Sequence, residues 1–105
     1  MNIELHELAA LLRTPTVDTT GPWKIGQAYM IRTVTMTLTG RLTNVGVAEL
    51  ELTDAAWIAD TGRFSNALAT GELSEVEPMP GIVIVGRGSI VDACEWSHPL
   101  PRTVK

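Results

Sequence analysis

The sequence predicts a mainly β protein: a small, strongly bent five-stranded barrel with an N-terminal α-helix and a polar insert before its last strands. Three observations carry that reading. Residues 34–42 and their continuation through residues 49–55 alternate apolar and polar side chains, the period of a strand with one wet face. Residues 81–91, Gly-Ile-Val-Ile-Val-Gly-Arg-Gly-Ser-Ile-Val, are apolar and punctuated by glycine, as expected of buried strands joined at a sharp corner. Between the two lies a polar stretch, residues 61–80, carrying Glu72, Glu75 and Glu77.

Composition limits the alternatives. A chain of 105 residues with 45% hydrophobic content forms one domain with one modest core. The formal net charge is −4 and the eight basic residues are scattered. Such a chain is a poor general binder of nucleic-acid backbone, although a local basic patch in an oligomer would suffice. The single cysteine, Cys94, excludes an internal disulfide and a Cys-rich zinc site. No segment reaches the roughly 18 apolar residues of a membrane span, and the start lacks a basic n-region. The expectation is a soluble, cytoplasmic protein with no membrane partner, no metal and no cofactor.

In chain order, residues 1–14 are expected to form the helix. Ile3, Leu5, Leu8, Leu11 and Leu12 fall at three- and four-residue spacing, and Pro15 stops the pattern. Residues 15–22 form a polar linker, and residues 23–96 the barrel. Residues 27–39 are long for one strand, and a bulge or bend near Arg32 would reconcile Tyr29 and Ile31, which are out of phase with Val34, Met36 and Leu38. Gly40 is expected to turn the chain, and Gly46 to interrupt the next strand. Residues 55–59 suit a further strand, since Trp57 and Ile58 favour sheet. Residues 65–69 read as a helical turn closed by Gly71. Pro78 and Pro80 break the weak alternation before them. The Ile82 to Val85 run lacks alternation, so both of its sides are expected to be covered. Residues 97–105 read as an irregular tail able to clamp a surface.

Several of these motifs resemble the Sm-like barrel family. Gly40-Arg41-Leu42 and Leu50-Glu51-Leu52-Thr53-Asp54-Ala55 are similar to the two parts of its first motif, and Val85, Arg87, Gly88 and Ile90 to its second. The resemblance implies an N-terminal helix on a five-stranded bent sheet and RNA as a ligand. The chain departs from the uridine-binding pattern at Gly46-Val47-Ala48-Glu49, where the family has an acidic residue and an Asn. Gly86 is an extra residue before Arg87, and Ser89 stands alone where two residues are usual. The whole chain also looks like small uncharacterised proteins of phages and mobile elements, which implies an origin and no activity.

The candidate site residues are Trp57, Asp60, Arg63, Arg87 and Gly88. A Trp platform with Asp and Arg nearby can hold a base by stacking and orient it with polar groups. The same residues also suit a capped turn beside a core Trp. Arg87 between two glycines can clamp a phosphate, or can pair with Asp92 or Glu95 at a barrel corner. His6 and His98 have no metal spacing. Ser65, Ser89 and Ser97 lack a nucleophile context. Cys94 reads as a small buried hydrophobe. Thr33, Thr35, Thr37 and Thr39 read as a solvated strand face.

These readings converge on a non-enzymatic homo-oligomer, a cyclic one, whose subunits join through their open sheet edges with Ile82, Ile84, Val85 and Ile90 at the interface. Its ligand is expected to be RNA or a small nucleotide-type molecule. One alternative is a structural or protein-interaction module anchored by Trp23, Trp57 and Trp96. The other is a small enzyme using Asp54, Asp60 and Arg63.

Overall fold

The computed structural model describes residues 21–105. The expected N-terminal helix, most of the linker and His6 lie outside the described residues. The described chain is mainly β. Its elements are β1 (Ala28–Thr33), β2 (Thr37–Val45), β3 (Glu49–Asp60), α1 (Phe64–Thr70), β4 (Glu75–Pro78), β5 (Val83–Gly86), a 3-10 turn (Arg87–Ser89) and β6 (Ile90–Glu95).

All six strands join one antiparallel sheet in the order β4-β3-β2-β1-β6, with β5 also on β3. The expected five strands are therefore six, and the sheet does not close into a barrel. The twelve residues of β3 explain the open form. Its second half pairs with β4, Ile58 facing Val76, and its first half pairs with β5, Leu50 facing Val85. β4 and β5 thus lie along one edge of β3 as an interrupted strand. Pro78, Pro80 and Gly81 fall at the interruption, where Gly81 has φ 69°.

Opposite that interruption, Asp54 takes the left-handed backbone conformation, φ 51°. There the pairing shifts, so that two residues of β3 face only Gly40 of β2. This is the geometry of a β-bulge, which bends its strand. Gly40 lies inside β2 rather than in the expected turn. A Cβ there would stand 3.1 Å from the Cβ of Leu52 and 3.3 Å from that of Ala55, so any side chain at the bend would push on both neighbours.

Near the expected bulge or bend at Arg32 the chain makes a tight hairpin at residues 34–35, which splits the stretch 27–39 into β1 and β2. The Thr33 N–H donates to the Met36 carbonyl at 2.8 Å, and the Thr33 hydroxyl accepts from the Met36 N–H at 3.0 Å. The side chain of Thr33 thereby stabilises the turn, a local bond that competes with extension of the strand. The threonine ladder is broken accordingly, and Thr39 is fully buried, not solvated.

Both faces of the sheet carry a core. Tyr29 and Ile31 of β1 join Leu38, Leu42, Leu50, Leu52 and Val85 on one face. Ala28 and Met30, the alternate residues, join Ala56, Ile58 and Val76 on the other. The second face is roofed by Ala67 of α1, by Leu73 and by Trp96, with Leu100 against it. Leu73 of the polar insert and Leu100 of the tail therefore pack over one sheet face. α1 ends at Gly71 in the left-handed conformation, whose N–H donates to the Ala67 carbonyl. Lys105 exchanges two backbone hydrogen bonds with Val76 at 3.0 Å, closing the outer side of β4.

Candidate functional site

Trp57 lies beyond the bend of β3, on the face of the first core. It stands opposite Leu38 on β2 and opposite Glu77 on β4. Directly opposed residues of antiparallel strands have Cβ atoms about 5 Å apart. The indole is 42% exposed, because the sheet is open at this end. A groove of about 500 Å³ lies against it, lined by Met36, Glu77, Met79, Ile82 and Val83 as well. Its lining is apolar apart from one carboxylate.

Asp60 and Arg63 follow Trp57 but are turned to other work. The Asp60 carboxylate accepts from the Gly62 N–H at 2.8 Å, which caps the turn into α1. Arg63 precedes α1 and lines a separate polar cavity of about 350 Å³ with Asn66, Glu72, Ser74 and Lys105. Asp54 lies 3.9 Å from the Arg102 guanidinium, which donates to the Ala55 carbonyl at 3.0 Å. The tail thus ties down the bend of β3 through Arg102.

Arg87 belongs to the other end of the sheet, next to Gly86, which faces Glu49 at the start of β3. Its guanidinium donates to the Gly46 carbonyl at 2.7 Å and its N–H to the Ala48 carbonyl at 2.9 Å. These bonds join the 3-10 turn to the β2–β3 turn. Gly88 is exposed in that turn, and a Cβ there would meet nothing. The structure therefore does not gather Trp57, Asp60, Arg63 and Arg87 into one site.

The carboxylates expected beside Arg87 have other partners. Asp92 forms a two-pronged pair with Arg32, whose guanidinium also lies 5.1 Å from the centre of the Phe64 ring. The Arg32 hydrogen bond holds the Asp92 carboxyl below the usual range, and the same bond raises Arg32. Glu95 pairs with Lys24 at 3.1 Å and raises its pKa. Cys94 is exposed on β6, contrary to the expected burial, because β6 is the last strand of the sheet; partial desolvation raises its thiol pKa. His98 packs edge-on against Trp96 and its Nε2 lies 2.7 Å from the Leu68 carbonyl. Among the described residues no group of three or more His, Cys, Asp or Glu is placed to hold a metal ion. Among them, too, no helix is long and apolar enough to cross a membrane.

No family model, curated protein or solved structure matches the chain. What remains distinctive is therefore its own surface: the groove at Trp57 and the two outer strands. Of the expected interface residues, Ile82 and Ile84 are 60% and 61% exposed, Val85 is buried in the first core, and Ile90 is half-buried against it. The expected double cover of the Ile82 to Val85 run is thus absent within the described residues: Ile84 faces outward beside Glu51. Glu77, Met36 and Met79 had no sequence signal as groove residues, since the pairing across α1 that joins Glu77 to Trp57 follows from no local pattern.

Proposed function

We propose that the protein is a non-enzymatic module that assembles with copies of itself through β5 and β6. One observation supports this most: among the described residues β5 pairs only with β3 and β6 only with β1, leaving each with an unpaired outer edge. Ile82 and Ile84 stand exposed at β5, and Val91 at β6. Unpaired strand backbone beside exposed aliphatic side chains favours pairing with another chain. A β5-to-β6 contact is heterologous, so repetition closes a ring when the rotation between copies permits. The Sm-like resemblance is part of this proposal.

The structure-or-interaction reading is preferred to an RNA ligand. Arg87 bonds to the β2–β3 turn, Arg63 and Trp57 line different cavities, and the exposed indole has a carboxylate for a neighbour. Native mass spectrometry with absorbance at 260 nm tests both readings at once. The expected result is a discrete homo-oligomer free of nucleic acid. Ile84→Lys is expected to give a folded monomer, since that side chain is already exposed. A monomeric native protein overturns the assembly, and a nucleic-acid-loaded oligomer restores the RNA reading.

A further inference from the structure

We propose that the groove beside Trp57 binds a small organic cation, an ammonium or guanidinium group on a compact apolar body. The groove lies within one copy of the chain, so the inference does not require assembly, and Ile82 borders both the groove and the proposed β5 seam.

Three properties of the lining select this class. The first is the aromatic face. Trp57 is 42% exposed and borders the groove, and indole attracts a cation through its quadrupole more strongly than any other side-chain ring. The second is charge. Glu77 faces Trp57 across the β3–β4 ladder and borders the same groove, and no Lys, Arg or His lines it. Glu77 lies in β4 through its backbone, and among the described residues its carboxylate has no ion pair or side-chain hydrogen bond, so it remains available to the groove. The third is the apolar remainder. Met36, Met79 and Ile82 accept a methyl-rich body, and methionine adapts to irregular shapes. Pro78 and Pro80 complete the wall and have no N–H to offer an anion.

The volume of about 500 Å³ falls within the range of small-molecule sites, about 300–1,000 Å³. The net charge of −4 draws cations toward the surface and repels phosphates. An anionic nucleotide stacked on Trp57 would place its charge near Glu77 without a compensating base. A cation avoids that conflict and uses both groups.

Choline and 3,3-dimethylbutan-1-ol share a shape and differ in charge, so the pair isolates the claim. The full chain, labelled with nitrogen-15, is titrated with each while the indole N–H resonances are followed. Trp57→Phe identifies the Trp57 signal among the three tryptophans. Choline is expected to shift that signal saturably. The neutral alcohol is expected to bind roughly tenfold more weakly, the size of one exposed ion pair and one cation–π contact together. Glu77→Gln is expected to weaken choline roughly two- to fivefold, the share of one exposed ion pair, while choline stays tighter than the alcohol through Trp57, with the Trp23 and Trp96 signals unmoved. Equal affinity for both compounds overturns the proposal. So does an unchanged choline affinity in Glu77→Gln, the absence of a saturable shift with choline, or tighter binding of guanosine monophosphate than of choline.

Discussion

The side chain of His98 fills the space beside the Cα of Gly71: a Cβ on Gly71 would stand 2.5 Å from both the Cβ and the Cγ of His98. Gly71 also has φ 78°, a conformation that costs an L side chain about 1–2 kcal/mol. Gly71→Ala is therefore expected to destabilise the protein by about 2–4 kcal/mol, strain and overpacking together. Urea unfolding measures it. The double variant with His98→Gly, which removes both the Cβ and the Cγ, is expected to lose less than the sum of the single losses, because the clash is shared. Additive losses would mean that the contact carries no energy.

Thr39 gives the opposite sign. Its hydroxyl is fully buried on β2, between Met30 and Ala56, and has no hydrogen-bond partner. An unpaired buried hydroxyl costs about 1–3 kcal/mol. Thr39→Val keeps the branched shape and removes that cost. The denaturation midpoint is expected to stay level or rise by up to about 1 kcal/mol in stability, with an unchanged m-value. A loss of more than about 1 kcal/mol would show that the hydroxyl is satisfied.

The Arg32–Asp92 pair sets part of the acid limb. Arg32 lowers the folded pKa of Asp92, so the pair stabilises the fold above the unfolded carboxyl pKa of about 3.9. That stability is lost as pH falls through the lower folded value. Asp92→Asn is expected to unfold more readily than the native protein at pH 5, by a margin that shrinks as the pH is lowered below the unfolded carboxyl pKa. Both groups are well exposed, so the effect is small and declines with salt. A difference that persists undiminished at pH 2 would assign it to packing instead.

Cys94 reports on β6. The thiol is exposed, so a disulfide reagent is expected to label it fully without denaturant. Desolvation raises its pKa and depletes thiolate, so labelling at pH 7 is expected to be slower than that of a free thiol. If β6 is an assembly seam, dilution to monomer will accelerate labelling. A rate independent of protein concentration would place the seam elsewhere.

The strands that alternate cleanly were legible in the sequence. Leu50 and Leu52 against Glu49 and Glu51 marked β3, and Gly71 marked the end of α1. The Thr33 turn was not, because a threonine that bonds its own backbone reads like any strand threonine. Gly40 was misplaced for a related reason: a glycine needed for close packing against Leu52 looks the same as one needed for a turn. The site was less legible than the fold. The groove depends on which strand borders β3 after α1, and Glu77 reaches Trp57 only through that pairing. No pattern within either segment encodes it. Exposure of Cys94 likewise followed from strand order and not from its neighbours in sequence.

The β1–β6 ladder has a further consequence for how the chain reaches its fold. Tyr29 pairs with Glu95, 66 positions later, whereas β1, β2 and β3 pair with near neighbours in sequence. Distant pairings cost more loop entropy and form more slowly. The three-stranded meander can therefore organise while the ribosome is still making the remainder. The outer backbone of β1 must then wait for β6, which emerges after all the other strands described, and is open to foreign strands in the interval. The residue that ends this exposure on β1 is Glu95, made 66 positions after its partner Tyr29.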